Sequence, residues 1–310
     1  MSAAQPLIGF TPATFIRSEP SLLPPLRVDS RKLRLDLRTP PGANPAAPFF
    51  ARKAYFPEGP ATTWQELYRT WFGDHALPVA NYRFWFGASR ELDARIRRAY
   101  EPLWREAVNG GLKDWEEHPK ACLAKLILID QLSRNMFRCT ADAFRHDALG
   151  VRLANRCAEF IADGFVYHFE DALIMAWPWL HMEQREGVLR AQWWCYGLTE
   201  ISRGTPFHGR MVMHQYGFDR HVRCIDRFGR YPHRNVVLGR KDTPEEQAYL
   251  RDEAEMWERD QTEQARGGTL RYKLGELAFF ARTSMYYIST RNAHLGWQMI
   301  KDSLRATVGR

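Results

Sequence analysis

Eleven of the 18 prolines fall within residues 1–60, including Pro24-Pro25 and Pro40-Pro41, and no other feature limits the fold as firmly. Proline removes a backbone donor and clashes with the preceding turn inside a helix, so a stretch this rich in it builds neither long helices nor central strands. No helical or alternating period is sustained there. The segment predicts an extended arm over residues 1–61. Its apolar side chains, among them Phe10, Phe15, Leu22, Leu23, Phe49, Phe50 and Tyr55, predict that it wraps over the body of the protein. From Thr62 onward apolar residues recur at helical spacing almost without interruption, and no Val/Ile/Thr-rich alternating run bounded by turn residues occurs. The predicted fold class is all-α, an α-α superhelix or irregular bundle of antiparallel helix pairs. Its helical core covers residues 62–266, and an aromatic-rich helical extension covers 267–310.

Local signals place the elements. Thr63 with Glu66 three residues on is a capping-box pattern, and Gly73-Asp74 ends the helix it opens. Ser89 caps the next, which carries Leu92, Ile96, Tyr100, Leu103 and Trp104 and stops at Gly110-Gly111. A third helix is expected over residues 120–138, a fourth over 141–164, and a fifth from Pro178 to about Tyr196. A long basic helix then runs from about Phe207 to Phe228, and Thr243-Pro244 opens another.

The chain is long enough to bury a core, and its 45% hydrophobic and 26% charged residues exclude a wholly disordered protein. The apolar run Leu123–Leu132 is cut by Lys125 and ends in Asp130 and Gln131, short of a bilayer span. Five cysteines, odd in number and without a CxxC pair, predict reduced thiols and a cytoplasmic location, as does the absence of a secretory pattern in the first residues. The net charge of +8 is uneven: residues 205–241 hold eight Lys/Arg against Asp219 and Asp226. Charge concentrated in one short histidine-rich stretch fits a small anion better than a nucleic-acid groove.

Three constellations carry chemistry. The 120–138 helix is apolar nearly all round, which buries Asp130 and Arg134; Gln131 and Asn135 repeat the four-residue spacing one step along. They form either a structural ion pair cross-linking helices or a guanidinium oriented by Asp130, with Arg134 and Arg138 presented to a pocket. In the basic helix His214 and His221 share the core-facing stripe with Phe218, Ile225 and Phe228. His214 reads as a core residue. Directly after comes RFGRYPHRN (227–235), whose clustered Arg230, His233 and Arg234 repel one another unless an anion or buried carboxylates compensate. The third group is His181 and Glu183. Two apart on a regular helix, they point about 200° apart and do not chelate one ion. A non-heme iron or zinc site drawing on His181, His221 or His233 with Asp130 or Glu183 stays an alternative, without a recognisable ligand spacing, and no metal ligand is assigned. No phosphate-binding GxxxxGK, GxGxxG, GxSxG or HExxH occurs. Cys195 and Cys224 are lesser candidates for a nucleophile.

LAKLILIDQLSRNMFR (123–138), AFRHD (143–147), PWLHMEQ (178–184), HVRCIDRFGRYPHRNVVLGR (221–240) and TPEEQAYL (243–250) together resemble the bacterial family known as domain of unknown function 924, over about residues 84–250. The resemblance implies a tetratricopeptide-like helical fold and assigns no activity. Its matched motifs carry over Asp130, Gln131, Arg134, Asn135 and Arg138, then His181 and Glu183, then His221, Arg230, His233, Arg234, Asn235 and Arg240. The chain departs from the family pattern at Met182, where Ser is usual, and at Ala172, where Arg is, which points to a remodelled pocket.

These readings converge on an enzyme, or a pocket protein derived from one, that holds a small anionic carboxylate or phosphate metabolite between helices. Arg134, Arg230 and Arg234 would bind the anion together with Gln131, Asn135, Arg138, His181, Asn235 and Arg240. His221 and His233 would form the acid/base pair, with Glu183 or Asp130 orienting one of them. Beside this stand a helical-repeat scaffold for a protein partner and a metal-dependent enzyme. No cofactor is indicated.

Overall fold

A computed structural model describes residues 33–38, 55–73, 90–205 and 207–254. Every regular element among them is helical. The expected cap on Ser89 and the extension over residues 267–310 lie outside the described residues.

Helix α1 (Trp64–Phe72) opens on the expected capping box: Thr63 Oγ1 accepts from the Glu66 amide at 3.3 Å while Glu66 Oε2 accepts from the Thr63 amide at 3.1 Å. Gly73 ends it at φ 64°. Helix α2 (Arg90–Val108) buries Ile96, Tyr100, Leu103 and Trp104 on one face. Helix α3 (Pro119–Leu126) starts on proline, whose missing N–H costs nothing in a first turn. It passes into a wider π turn over Ile127–Leu132 and then into α4 (Ser133–Met136). Residues 121–133 are buried without exception, so this rod is the axis of the core. Lys125, 2% exposed, reaches out of it to the carbonyls of Gly111 and Leu112 and to Glu116 at 2.7 Å.

Helices α5 (Asp147–Ala162), α6 (Phe169–Met175) and α7 (Trp177–Leu180) follow, then α8 (Arg185–Ile201), α9 (His208–Phe228) and α10 (Pro244–Asp252). Gly229 closes α9 in the left-handed conformation at φ 66°, and Thr243 with Glu246 forms a second capping box at α10. α3 packs against α1 and α5, α4 against α2, and α8 lies along α9. Residues 33–38 run beside the start of α6: Asp36 accepts from the Phe169 amide and donates to the Tyr167 carbonyl, while Leu33, Leu35 and Leu37 pack on the core.

Two expected helices differ from what forms. The fourth starts at Asp147, because residues 141–143 make a separate 3-10 turn; Ala148 is consequently exposed, and Phe144 and Leu149 only partly buried. The fifth is interrupted at residues 181–184, which separate α7 from α8. The 200° separation of His181 and Glu183, derived for one continuous helix, does not apply to a loop.

The buried apolar residues fall into two clusters. The larger one spans α1 to α8 and the first half of α9 as far as Phe218; the smaller gathers Val188, Val222, Cys224, Ile225, Tyr231 and Tyr249. Tyr231 joins them by donating its hydroxyl to the Leu180 carbonyl at 2.5 Å. His214 is buried, as expected of a core residue. All five cysteines are free thiols, and no helix among the described residues is long and apolar enough to cross a membrane.

Candidate functional site

Asp130 lies within the π turn and is completely buried. Helix α5 approaches it at Gly150, where a Cβ would stand 3.3 Å from the Asp130 Cβ, so the bare backbone lets the two helices close over the carboxylate. Gln131 donates its side-chain amide to Asp130 Oδ2, and Arg134 donates Nη1 to the Asp130 carbonyl, with Nη1 3.3 Å from Oδ1. The Nη2 of Arg134 reaches Asp147, the first residue of α5, at 2.9 and 3.0 Å. His181, at the end of α7, sets its Nδ1 3.0 Å from both oxygens of Asp130.

This arrangement fixes the imidazole. Burial raises the Asp130 pKa, but the Arg134 guanidinium and His181 more than offset it and hold the carboxyl below its ordinary range. Burial together with the Arg134 charge lowers the His181 pKa against the pull of Asp130. At neutral pH an ionised Asp130 accepts from a neutral ring protonated at Nδ1, and Nε2 keeps a lone pair.

Arg234, 5% exposed, comes to the same place from the 3-10 turn Pro232–Arg234. Its guanidinium lies between the Phe144 ring, 4.5 Å away, and the Tyr231 ring, 4.7 Å away. Its one hydrogen bond among the described residues is from Nη1 to Asp147 Oδ2 at 3.5 Å, and Nε is buried without a partner. Burial lowers its pKa against the pull of Asp147.

His181, Asp147 and Arg234 border an open cleft with room for about 410 Å³ of solvent, lined also by Phe144, Met182 and Glu183 among others, while Asp130, Gln131 and Arg134 stand behind its wall. Its volume falls within the range of small-molecule sites, roughly 300–1,000 Å³. Met182 is seated against Gly187, where a Cβ would come within 2.6 Å of its sulfur.

The sequence-derived candidates thus divide. Asp130, Gln131, Arg134, His181 and Arg234 converge, and Glu183 joins them at the cleft wall. Glu183 is already engaged: Arg240 donates Nη1 to Oε2 and Nη2 to Oε1, and the Tyr231 amide donates to Oε1 at 3.0 Å. Arg240 therefore closes on Glu183 and does not turn a donor edge toward a ligand. Asn135 and Arg138 do not reach the cleft, because both bind Asp93 of α2, Arg138 through Nε at 2.6 Å and Nη2 at 3.0 Å. Arg230 is held away by Glu246 at 2.7 and 2.8 Å, and Asn235 by Asp242 at 2.6 Å.

The expected acid/base pair also rearranges. His221 Nδ1 is 2.8 Å from the Gly217 carbonyl and its ring meets Tyr231 edge-on; His233 stacks on Tyr231 at 5.6 Å. Neither lines the cleft. Burial pushes His221 down to about 3, and burial with the Arg234 charge pushes His233 well below the usual histidine range. Glu183 bonds neither ring, and Asp130 orients His181 in their place.

Asp147 and Phe144 were missed, although the AFRHD block that contains them stood out in the sequence; the acidic start of α5 was the available signal. Among the described residues no group of three or more His, Cys, Asp or Glu side chains is placed to hold a metal ion. Burial raises the Cys195 thiol far above its ordinary range, and Cys224 Sγ donates to the Arg230 carbonyl inside the smaller cluster, so neither is a nucleophile in waiting.

No curated protein matches the chain. The solved structure of a protein of unknown function from Agrobacterium tumefaciens is similar, with 28% identity and a TM-score of 0.47 over 56% of this chain and 91% of that one. A family model described as a bacterial protein of unknown function, DUF924, matches residues 67–254. The chain belongs to the DUF924 family.

Proposed function

We propose that the chain is an enzyme that binds a small anionic metabolite in the cleft beside Arg234 and acts on it by proton transfer through His181. One observation carries this reading: a buried carboxylate fixes the His181 tautomer in the same cleft where Arg234 keeps unused donors. A general base oriented by a carboxylate and set beside a charge anchor is the minimal apparatus of such catalysis. Asp130 and Gln131 position the base, Arg134 braces Asp130 against Asp147, and Arg234 takes the anion. The rival reading, a helical scaffold with its charges closed in internal pairs, accounts for Arg138, Arg230 and Arg240 but not for Arg234.

The test is a thermal-shift screen of the full chain with carboxylates and phosphates, run on wild type, Arg234→Met and His181→Gln. The expected result is a ligand that stabilises wild type and His181→Gln but not Arg234→Met. Turnover of that ligand should then fall at least about 100-fold in His181→Gln. A panel that stabilises nothing, or stabilises Arg234→Met as well as wild type, overturns the proposal.

A further inference from the structure

Resting on the cleft as a ligand site, we infer that its ligand is a monocarboxylate with an apolar body, gripped through the Nε/Nη2 edge of Arg234. Other arginines in the molecule show how that edge is used. Arg138 takes Asp93 through Nε and Nη2 at 2.6 and 3.0 Å, and Arg230 takes Glu246 through the same two nitrogens at 2.7 and 2.8 Å. Both partners are carboxylates, whose two coplanar oxygens match the two parallel N–H groups. Arg234 spends only Nη1, on Asp147 at 3.5 Å; Nη2 carries no hydrogen bond, and Nε, buried and unpartnered, meets the second carboxylate oxygen once the wall over it gives way. The Phe144 and Tyr231 rings stand 4.5 and 4.7 Å from its guanidinium carbon and restrict the directions from which a ligand reaches it.

The charges around the cleft set the valence of the anion. Arg134 is compensated by Asp130 and Asp147, Arg240 by Glu183, and Arg145 at the rim by Asp142 at 2.6 Å. His181 is held neutral by burial. Arg234 has a part share in Asp147, so four guanidinium groups face four carboxylates, and no surplus positive charge is left for a second negative group on the ligand. A phosphate monoester carries about −1.5 to −2 at pH 7 and would face the carboxylates of Asp147 and Glu183 across the cleft. The rest of the wall is apolar, with Phe144, Met182, Leu238 and Ala141, and suits an aliphatic or aromatic body.

The experiment measures binding of hexanoate and benzoate to the full chain by thermal shift and NMR titration. Their uncharged amides, phenyl phosphate and the dianion succinate serve as comparison arms. The expected result is that at least one monocarboxylate binds. Its amide, phenyl phosphate and succinate should each bind at least tenfold more weakly. Arg234→Lys, which keeps the charge but loses the fork, weakens monocarboxylate binding at least tenfold, and Arg234→Met abolishes it. If phenyl phosphate or succinate binds best and Arg234→Met abolishes that binding, the cleft stands as an anion site and the monocarboxylate inference falls. Monocarboxylate binding that survives in Arg234→Met, or is matched by the amides, also overturns the inference. If no probe binds, the inference and the reading beneath it fall together.

Discussion

Arg138 and Arg234 carry the same group in opposite circumstances. Arg138 gives two donors to Asp93, which Asn135 also binds, so Arg138→Met strands a partly buried carboxylate. It should cost about 2 kcal/mol, somewhat less than the roughly 3–5 for breaking a fully buried pair. Arg234 desolvates a guanidinium for one long hydrogen bond and two ring contacts, so Arg234→Met, with no ligand present, should change stability by no more than about 1 kcal/mol in either direction. Urea unfolding of both variants checks the contrast. Asp130→Asn tests the dyad. With the carboxylate gone, nothing opposes burial and the Arg134 charge at His181, so the imidazole pKa should fall further, read by NMR titration of that ring. The side-chain types at this site were legible in the sequence, since charged residues on an all-apolar helix announce a buried polar cluster. Which histidine faces the cleft was not. Helical spacing sends His221 inward but says nothing of the Gly217 carbonyl that occupies its Nδ1.

The start of α8 shows where local reading of elements stops. Both capping boxes, Thr63 with Glu66 and Thr243 with Glu246, were visible because they are short-range exchanges between a side chain and a nearby backbone. The break at residues 181–184 has no such signature, since Gln184 stands at the N-cap without a side-chain bond. Tertiary packing holds the break, with Met182 folded against Gly187. The π turn was equally hidden, because its apolar residues are compatible with either pitch. Gly187→Ala should therefore cost about 1–3 kcal/mol by overpacking, despite the better helix propensity of alanine. Adding Met182→Ala should recover part of that loss. A double-mutant cycle by chemical denaturation measures the coupling.

Across the whole molecule, three partly buried imidazoles tie stability to pH. Unfolded, each titrates near about 6.5; folded, His221 is pushed to about 3, and His181 and His233 are lowered as well. The unfolded chain then takes up protons that the folded chain refuses. Stability is full above about pH 6.5 and falls as the pH drops toward 3, by up to about 1.4 kcal/mol per pH unit for each histidine. Unfolding at pH 7.5, 6 and 5 checks the slope, and His221→Gln should make it shallower by about one proton. The all-α class and the assembly of distant motifs at one place were legible here, because apolar periodicity and buried charge both survive in a linear chain. The seam between the two apolar clusters was not, since it depends on Tyr231 crossing from one to the other. Tyr231 also stands 4.7 Å from the Arg234 guanidinium, so the cleft wall and the smaller cluster share this residue. An occupant of the cleft should slow amide hydrogen exchange in α9 and α10, most of whose backbone it never touches, and exchange mass spectrometry would register it there.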